Sequence, residues 1–169
     1  RFCSDILLPA YSLTKTISGT LGLAAYEKKY GSIKDLEVKD LISFCTNKKW
    51  DEVTLENLAD MTTGNYKSQV HSEDEDSLSS LNFIFNLHDS HEKEDFACNN
   101  YPQKSKPNLR FVYHSSDTYL LGLALNELLL ANEENDFFND LLLPIFSDIS
   151  LSESIKHIRR TNDKKRQPY

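Results

Sequence analysis

Glycine is scarce, five residues in 169 with none after Gly122. A sheet-rich domain with many tight turns needs more of them, so the composition predicts a mainly α chain. Cysteine is scarce too. Cys3, Cys45 and Cys98 are odd in number and widely spaced, with no C-x-x-C and no companion histidine pair, which indicates neither a zinc site nor a full disulfide framework. No apolar run reaches the roughly 18 residues of a membrane-spanning helix, which argues against a span. Basic side chains are outnumbered, 19 Lys and Arg against 26 Asp and Glu for a formal net charge of −7. The clustered positive charge of a nucleic-acid surface is missing except near the end of the chain. The sequence begins at Arg1 and shows no charged-then-apolar leader, and so reads as an internal part of a longer protein.

Apolar side chains make up 39 % of the sequence, enough to fill a core, and residues 1–169 are read as a single domain. From Ser12 to Tyr30, Leu13, Ile17, Leu21 and Ala24 recur at helical spacing, and Gly31 supplies the stop. Gly19 and Gly22 inside this helix each cost about 1 kcal/mol relative to Ala, which predicts close packing against neighbours. A short amphipathic piece follows at Leu36, Val38, Leu41 and Ile42. Thr54 then caps a helix that carries Leu55, Leu58 and Met61 and stops at Gly64. Residues 67–106 are polar and read as an insertion. Their acidic clusters, Glu73–Asp76 and Glu92, Glu94 and Asp95, are expected to be solvated around a weak helix through Leu81, Ile84, Phe85 and Leu87. Ser115 or Ser116 is expected to cap a leucine-rich helix from Tyr119 to Leu130, apolar nearly all round and therefore buried. Phe137, Phe138, Leu141 and Leu142 mark a last helix ending before Pro144. The basic tail 156–169, with Arg159, Arg160, Lys164, Lys165 and Arg166, reads as a solvated or truncated end.

Ser12-Leu13-Thr14-Lys15 places an S-x-x-K at the start of the first helix. Residues i and i+3 share a face, about 5–6 Å apart at Cβ, so lysine can reach serine there. Unsatisfied N–H groups of a first turn favour negative charge on an attacked substrate oxygen. Taken alone, Ser12 also reads as an ordinary N-cap serine beside a solvent-facing lysine. Ser90-His91-Glu92-Lys93 has the same spacing but lies in the polar stretch, and is expected on an exposed segment. His71, His88, His91, His114 and His157 show no metal-ligand spacing, and no metal or cofactor is indicated.

Pro9-Ala10-Tyr11-Ser12-Leu13-Thr14-Lys15-Thr16, followed by a glycine-containing apolar helix, resembles the active-site helix of the serine β-lactamase, penicillin-binding protein and related esterase family. Trp50 with Val53-Thr54-Leu55-Glu56-Asn57-Leu58 and Met61-Thr62-Thr63-Gly64 looks like that family's I-T-L-x-x-L-L-x-x-T-S-G segment. Tyr113-His114-Ser115-Ser116-Asp117-Thr118-Tyr119-Leu120-Leu121-Gly122 looks like its second catalytic motif, Y-x-N, with the Y-x-L-L-G that follows it. The resemblance implies the helical half of an α/β serine hydrolase. Ser12 would be the nucleophile, Lys15 and Tyr113 would shuttle its proton, and Ser115 would bind substrate. It further implies an acyl substrate (ester, amide, β-lactam or peptide) and a periplasmic or secreted setting. By itself Tyr113 is undistinguished, since Tyr30-Gly31-Ser32 and Tyr66-Lys67-Ser68 share its Y-x-S spacing.

Ser115 stands where the family has Asn, and the third motif, Lys or His followed by a small residue and Gly on a strand, has no counterpart after Gly122. That strand supplies one oxyanion donor in the family, and losing one costs on the order of 10²-fold in rate. Two expectations follow. Either another segment or a second chain completes the domain, or the chain is a catalytically inactive relative serving as a binding or scaffolding module.

Overall fold

The structure, a computed structural model, describes residues 10–132, 136–149, 151 and 158–163. Cys3, Glu133, Lys156, His157, Lys164, Lys165 and Arg166 lie outside the described residues. Helices dominate, as the glycine count predicts. Pairing between extended segments, among the described residues, includes isolated bridges of Glu37 with Thr54 and Asn65 with Gln103.

Leucine density decides the centre. Helix α7 (Ser115–Ala131) buries Leu120, Leu121, Leu123, Ala124, Leu125 and Leu129. Each buried leucine contributes about 1.5–3 kcal/mol. Four helices pack on it: α2 (Gly22–Tyr30), α3 (Val38–Leu41), α4 (Leu55–Ala59) and α6 (Ser90–Asn99), together with the segment Phe137–Leu142.

The first predicted helix forms, with an irregularity. A single turn, α1 (Leu13–Lys15), runs into a π-helical stretch, Thr16–Leu21, before α2 continues to Gly31, where φ is 101°. The two glycines meet the neighbours their cost foretold. A Cβ on Gly22 would sit 2.7 Å from Cζ of the buried Phe137 ring, whereas one on Gly19 would meet Thr118 and Leu121 at ordinary distances of 3.7 and 3.8 Å. Thr54 caps α4 in a reciprocal capping box with Asn57. The helix ends at Ala59, short of Gly64, because Met61 takes φ 53°. Gly64 instead serves a close approach, its φ of 82° bringing the backbone against the Ser105 carbonyl.

Residues 67–106 contribute to the core despite their polar composition. Helix α5 (Leu78–Phe85) and α6 place Phe83, Ala97 and Cys98 in the core, and Tyr101 is buried as well. A disulfide joins Cys45 to Cys98, both fully buried, a pairing that the cysteine spacing left open. Its partners are 53 residues apart and meet only because α6 folds back beside the loop after α3. Closing a loop of that size stabilises a fold by about 4 kcal/mol on the chain-entropy account. The last predicted helix, π-helical over Phe137–Leu142, ends before Pro144 as expected, and a 3₁₀ turn, Leu143–Phe146, follows it directly. The described part of the tail is engaged rather than solvated. Arg160 pairs with Asp136, and Arg159 donates to the carbonyls of Ile84 and Phe85 at 3.3 and 2.9 Å.

Gly22→Ala and Gly19→Ala should diverge in sign. Alanine gains about 1 kcal/mol of helix propensity at either site, but at Gly22 it overlaps Phe137, and overpacking costs about 1–3 kcal/mol. Gly19→Ala is expected to melt at or above the parent temperature and Gly22→Ala several degrees below it. Equal melting temperatures would show that helix and Phe137 are not in such close contact.

Candidate active site

Ser12 is the N-cap of α1, and the residue before it, Tyr11, takes the left-handed conformation at φ 45°. The turn is tied by Leu13 N–H to Ala10 O (3.0 Å), Thr14 N–H to Tyr11 O (3.1 Å) and the Thr14 hydroxyl to the same carbonyl (2.6 Å). One turn on, Lys15 Nζ donates to Ser12 Oγ at 3.0 Å. The i, i+3 geometry expected of S-x-x-K is therefore realised.

Tyr113 arrives from the other end of the chain. It lies on the extended segment leading into α7, where Val112 N–H donates to Met61 O at 3.0 Å and buries the valine. This anchor leaves Tyr113 facing Ser12, and its hydroxyl donates to Ser12 Oγ at 2.6 Å. Lys15 Nζ lies 4.8 Å from the centre of the Tyr113 ring, and the exposed His71 ring stacks against that ring at 6.1 Å. Three of the residues singled out in the sequence thus converge on one oxygen. Tyr11 and Leu13 beside it are 69 % and 73 % exposed, so the serine sits on an open face. Two shallow depressions elsewhere, one along Leu87, Glu92 and Phe96 and one along Lys48, Glu52 and Lys104, do not include it.

Ser115 does not present itself to a substrate. Its hydroxyl makes a short hydrogen bond to Glu75 Oε1, and its N–H donates to Glu75 Oε2 at 2.9 Å. The expected serine cap of α7 is absent as well, because His114 is the N-cap and makes no side-chain cap bond. The carboxylate of Glu75, forty residues away in sequence, takes the first-turn N–H instead.

The acidic cluster is only partly the solvated surface predicted. Asp74 and Glu75 are buried. Asp74 accepts from the N–H groups of Lys67 and Ser68 at 2.8 and 3.0 Å and pairs with His114 Nε2 at 3.0 Å. Glu75 adds a contact of 3.9 Å to Lys15 Nζ. In the second cluster Glu94 is buried too. A run of acidic letters looks solvated until distant donors fold onto it. Glu75 is the site residue that sequence reasoning missed, and nothing in its own segment marks it out.

Ser90 and Lys93 correct a second expectation. They occupy the first turn of α6 with relative exposures of 0 % and 1 %. Lys93 Nζ donates to Phe83 O at 2.6 Å and sits 4.2 Å over the Phe83 ring. Burial, reinforced by the charge of Arg159, pulls its amine down to about 7. This pair lacks access and a mutual hydrogen bond, for Ser90 Oγ has no partner among the described residues.

Behind Tyr113, His114 stacks on Tyr101 at 4.1 Å. Burial holds its imidazole below the ordinary value despite Asp74. Asp117 is buried on α7 with Oδ2 unpartnered, and burial, helped by the nearby Glu75 charge, raises its carboxyl well above the ordinary 3.8.

No protein-family model matches the chain, and no curated protein matches it. Among the described residues no helix is long and apolar enough to cross a membrane.

Asp117 makes stability depend on pH. Its native carboxyl binds a proton that the unfolded chain releases above pH 3.8, so its contribution is full below that value and is lost as pH rises toward the raised native value. Asp117→Asn, which has no proton to lose, is expected to melt like the parent near pH 4 and above it at pH 8. A melting difference that stays constant from pH 4 to 8 would show that Asp117 is ionised in the fold.

Proposed function

We propose that this chain carries the nucleophilic half of a serine hydrolase that forms an acyl-enzyme at Ser12. The observation that carries the reading is the convergence of Lys15 Nζ and Tyr113 Oη, from positions 101 residues apart, on Ser12 Oγ at 3.0 and 2.6 Å. An N-cap serine acting only structurally has no need of a phenol and an amine on its hydroxyl.

In the proposed reaction Ser12 Oγ attacks the acyl carbon while its proton passes to the deprotonated Tyr113–Lys15 pair. Lys15, 4.8 Å from the ring centre, offsets the negative charge of a phenolate. The tetrahedral intermediate collapses as the same pair returns the proton to the leaving alkoxide or amine, and the bond from carbon to the leaving group breaks. Water then attacks the acyl-serine with proton transfer by the same route, which releases the acid and restores Ser12. The Ser12 N–H supplies one oxyanion donor. The second donor and the opposite wall are assigned to a further segment or a second chain carrying Lys or His, a small residue and Gly. The substrate is an ester, amide or β-lactam. Engagement of Ser115 by Glu75 leaves no free side-chain donor at the position that holds an amide in the resembled family, which favours esters.

A fluorophosphonate tests this, since Ser12 Oγ would attack phosphorus and expel fluoride, leaving a stable adduct. Intact-protein mass spectrometry is expected to show one adduct, lost in Ser12→Ala. Lys15→Ala and Tyr113→Phe should each slow labelling about 10²–10⁴-fold. An adduct that survives Ser12→Ala, or no adduct on folded protein even when the missing segment is supplied, would leave the binding or scaffolding module standing.

A further inference from the structure

Four carboxylates crowd residues 73–76, and three of them are used locally or elsewhere. Glu73 accepts from Ser68 and Asp76 from Ser72, while Asp74 is taken by His114 and two backbone N–H groups. Glu75 alone turns toward Ser12. Its side chain is 11 % exposed. Oε2 accepts from Ser115 N–H at 2.9 Å and from Ser80 Oγ at 3.4 Å, while Oε1 accepts from Ser115 Oγ and lies 3.9 Å from Lys15 Nζ. Ser115 is two residues past Tyr113, and Lys15 is three past Ser12. One carboxylate therefore touches both segments that bring proton-carrying groups to the nucleophile.

On the reading of Ser12 as nucleophile, we propose that Glu75 is a positioning residue of this site. It clamps the N-terminus of α7 to Lys15, so that phenol and amine are aimed at the same oxygen. Among the described residues Glu75 is the carboxylate that pairs with Lys15. The side chains facing Lys15 are thus Ser12, Tyr113 and Glu75. Those facing Glu75 are Ser80, Ser115 and Lys15, with Asp117, His114 and Tyr101 near enough to feel its charge. Removing the charge while keeping the shape should loosen the hold on Lys15. Shortening the arm while keeping the charge should disturb the aim.

The test is a double-mutant cycle on the rate of fluorophosphonate labelling, with the parent, Glu75→Gln, Lys15→Ala and the double variant compared in whatever form of the protein labels at Ser12. Glu75→Gln keeps an acceptor for the Ser115 N–H and is expected to slow labelling roughly tenfold through the weaker clamp. Once Lys15 is already alanine the same change is expected to cost much less, because the clamp acts through that amine. Glu75→Asp is expected to lose rate as well, since the shorter arm cannot hold Ser115 and Lys15 together. A residue holding only the fold would slow labelling by the same factor with and without Lys15. Additive effects overturn the proposal. If the parent never labels at Ser12, the hydrolase reading fails and the proposal falls with it. If the parent labels and the effects are additive, the clamp fails and the hydrolase reading survives.

Discussion

Burial of α7 is the constraint from which the rest follows. A helix apolar on nearly every face has no orientation in which it can rest on a surface, so α2, α3, α4, α6 and the Phe137–Leu142 segment close around it. Its first residue inherits the fixed position of its interior. Tyr113 and Ser115 stand at that end, and they are placed as firmly as Leu120 and Leu125 are packed. Ser12 reaches the same end through Gly22, whose missing side chain lets the first helical run lie against Phe137. The face that carries Ser12, Lys15 and Tyr113 is thus the rim of the core, held by leucines packed behind it.

Charges buried at that rim sort by how many donors reach each one. Asp74 has two backbone N–H groups and an imidazole, and Glu75 has a backbone N–H, two hydroxyls and a nearby ammonium. Asp117, with one oxygen unpartnered, has its carboxyl raised well above the ordinary value by burial, which favours the neutral form of an unsolvated carboxyl. The two S-x-x-K lysines differ in the same manner. Lys93 lies between the rings of Phe83 and Tyr119, with burial lowering its amine, whereas Lys15 keeps a carboxylate within 3.9 Å and an opening to solvent.

Local signals in the sequence carried the helices well. Periodicity found the runs around Leu21, Leu58 and Leu125, the Thr54 cap formed as its chemistry demands, and the cost of Gly22 correctly announced a close neighbour. Ser12, Lys15 and Tyr113 could be named because each sits in a recognisable local string. The misses share one cause: their partners are remote. Glu75 looks like any surface acid until Ser115 is folded against it. Helix α6 itself is nearly as polar as a loop, for the environment that buries Ser90, Lys93 and Glu94 is contributed by other segments. Composition reports what a segment would prefer in isolation, and here tertiary packing overrode that preference.

The π-helical stretch Thr16–Leu21 carries one further implication. A π turn takes up extra residues per turn, so the helix before it is out of phase with the helix after it by up to about 100° for each extra residue. The face holding Ser12 and Lys15 and the face holding the buried Leu23 and Tyr26 can therefore be set independently. A regular α-helix would tie the azimuth of Ser12 rigidly to the packing side of α2. With the wider turn between them, the length of residues 16–21 becomes an angular adjustment. Losing one residue there would leave charge, core and motifs intact while swinging the Ser12–Lys15 pair away from Tyr113.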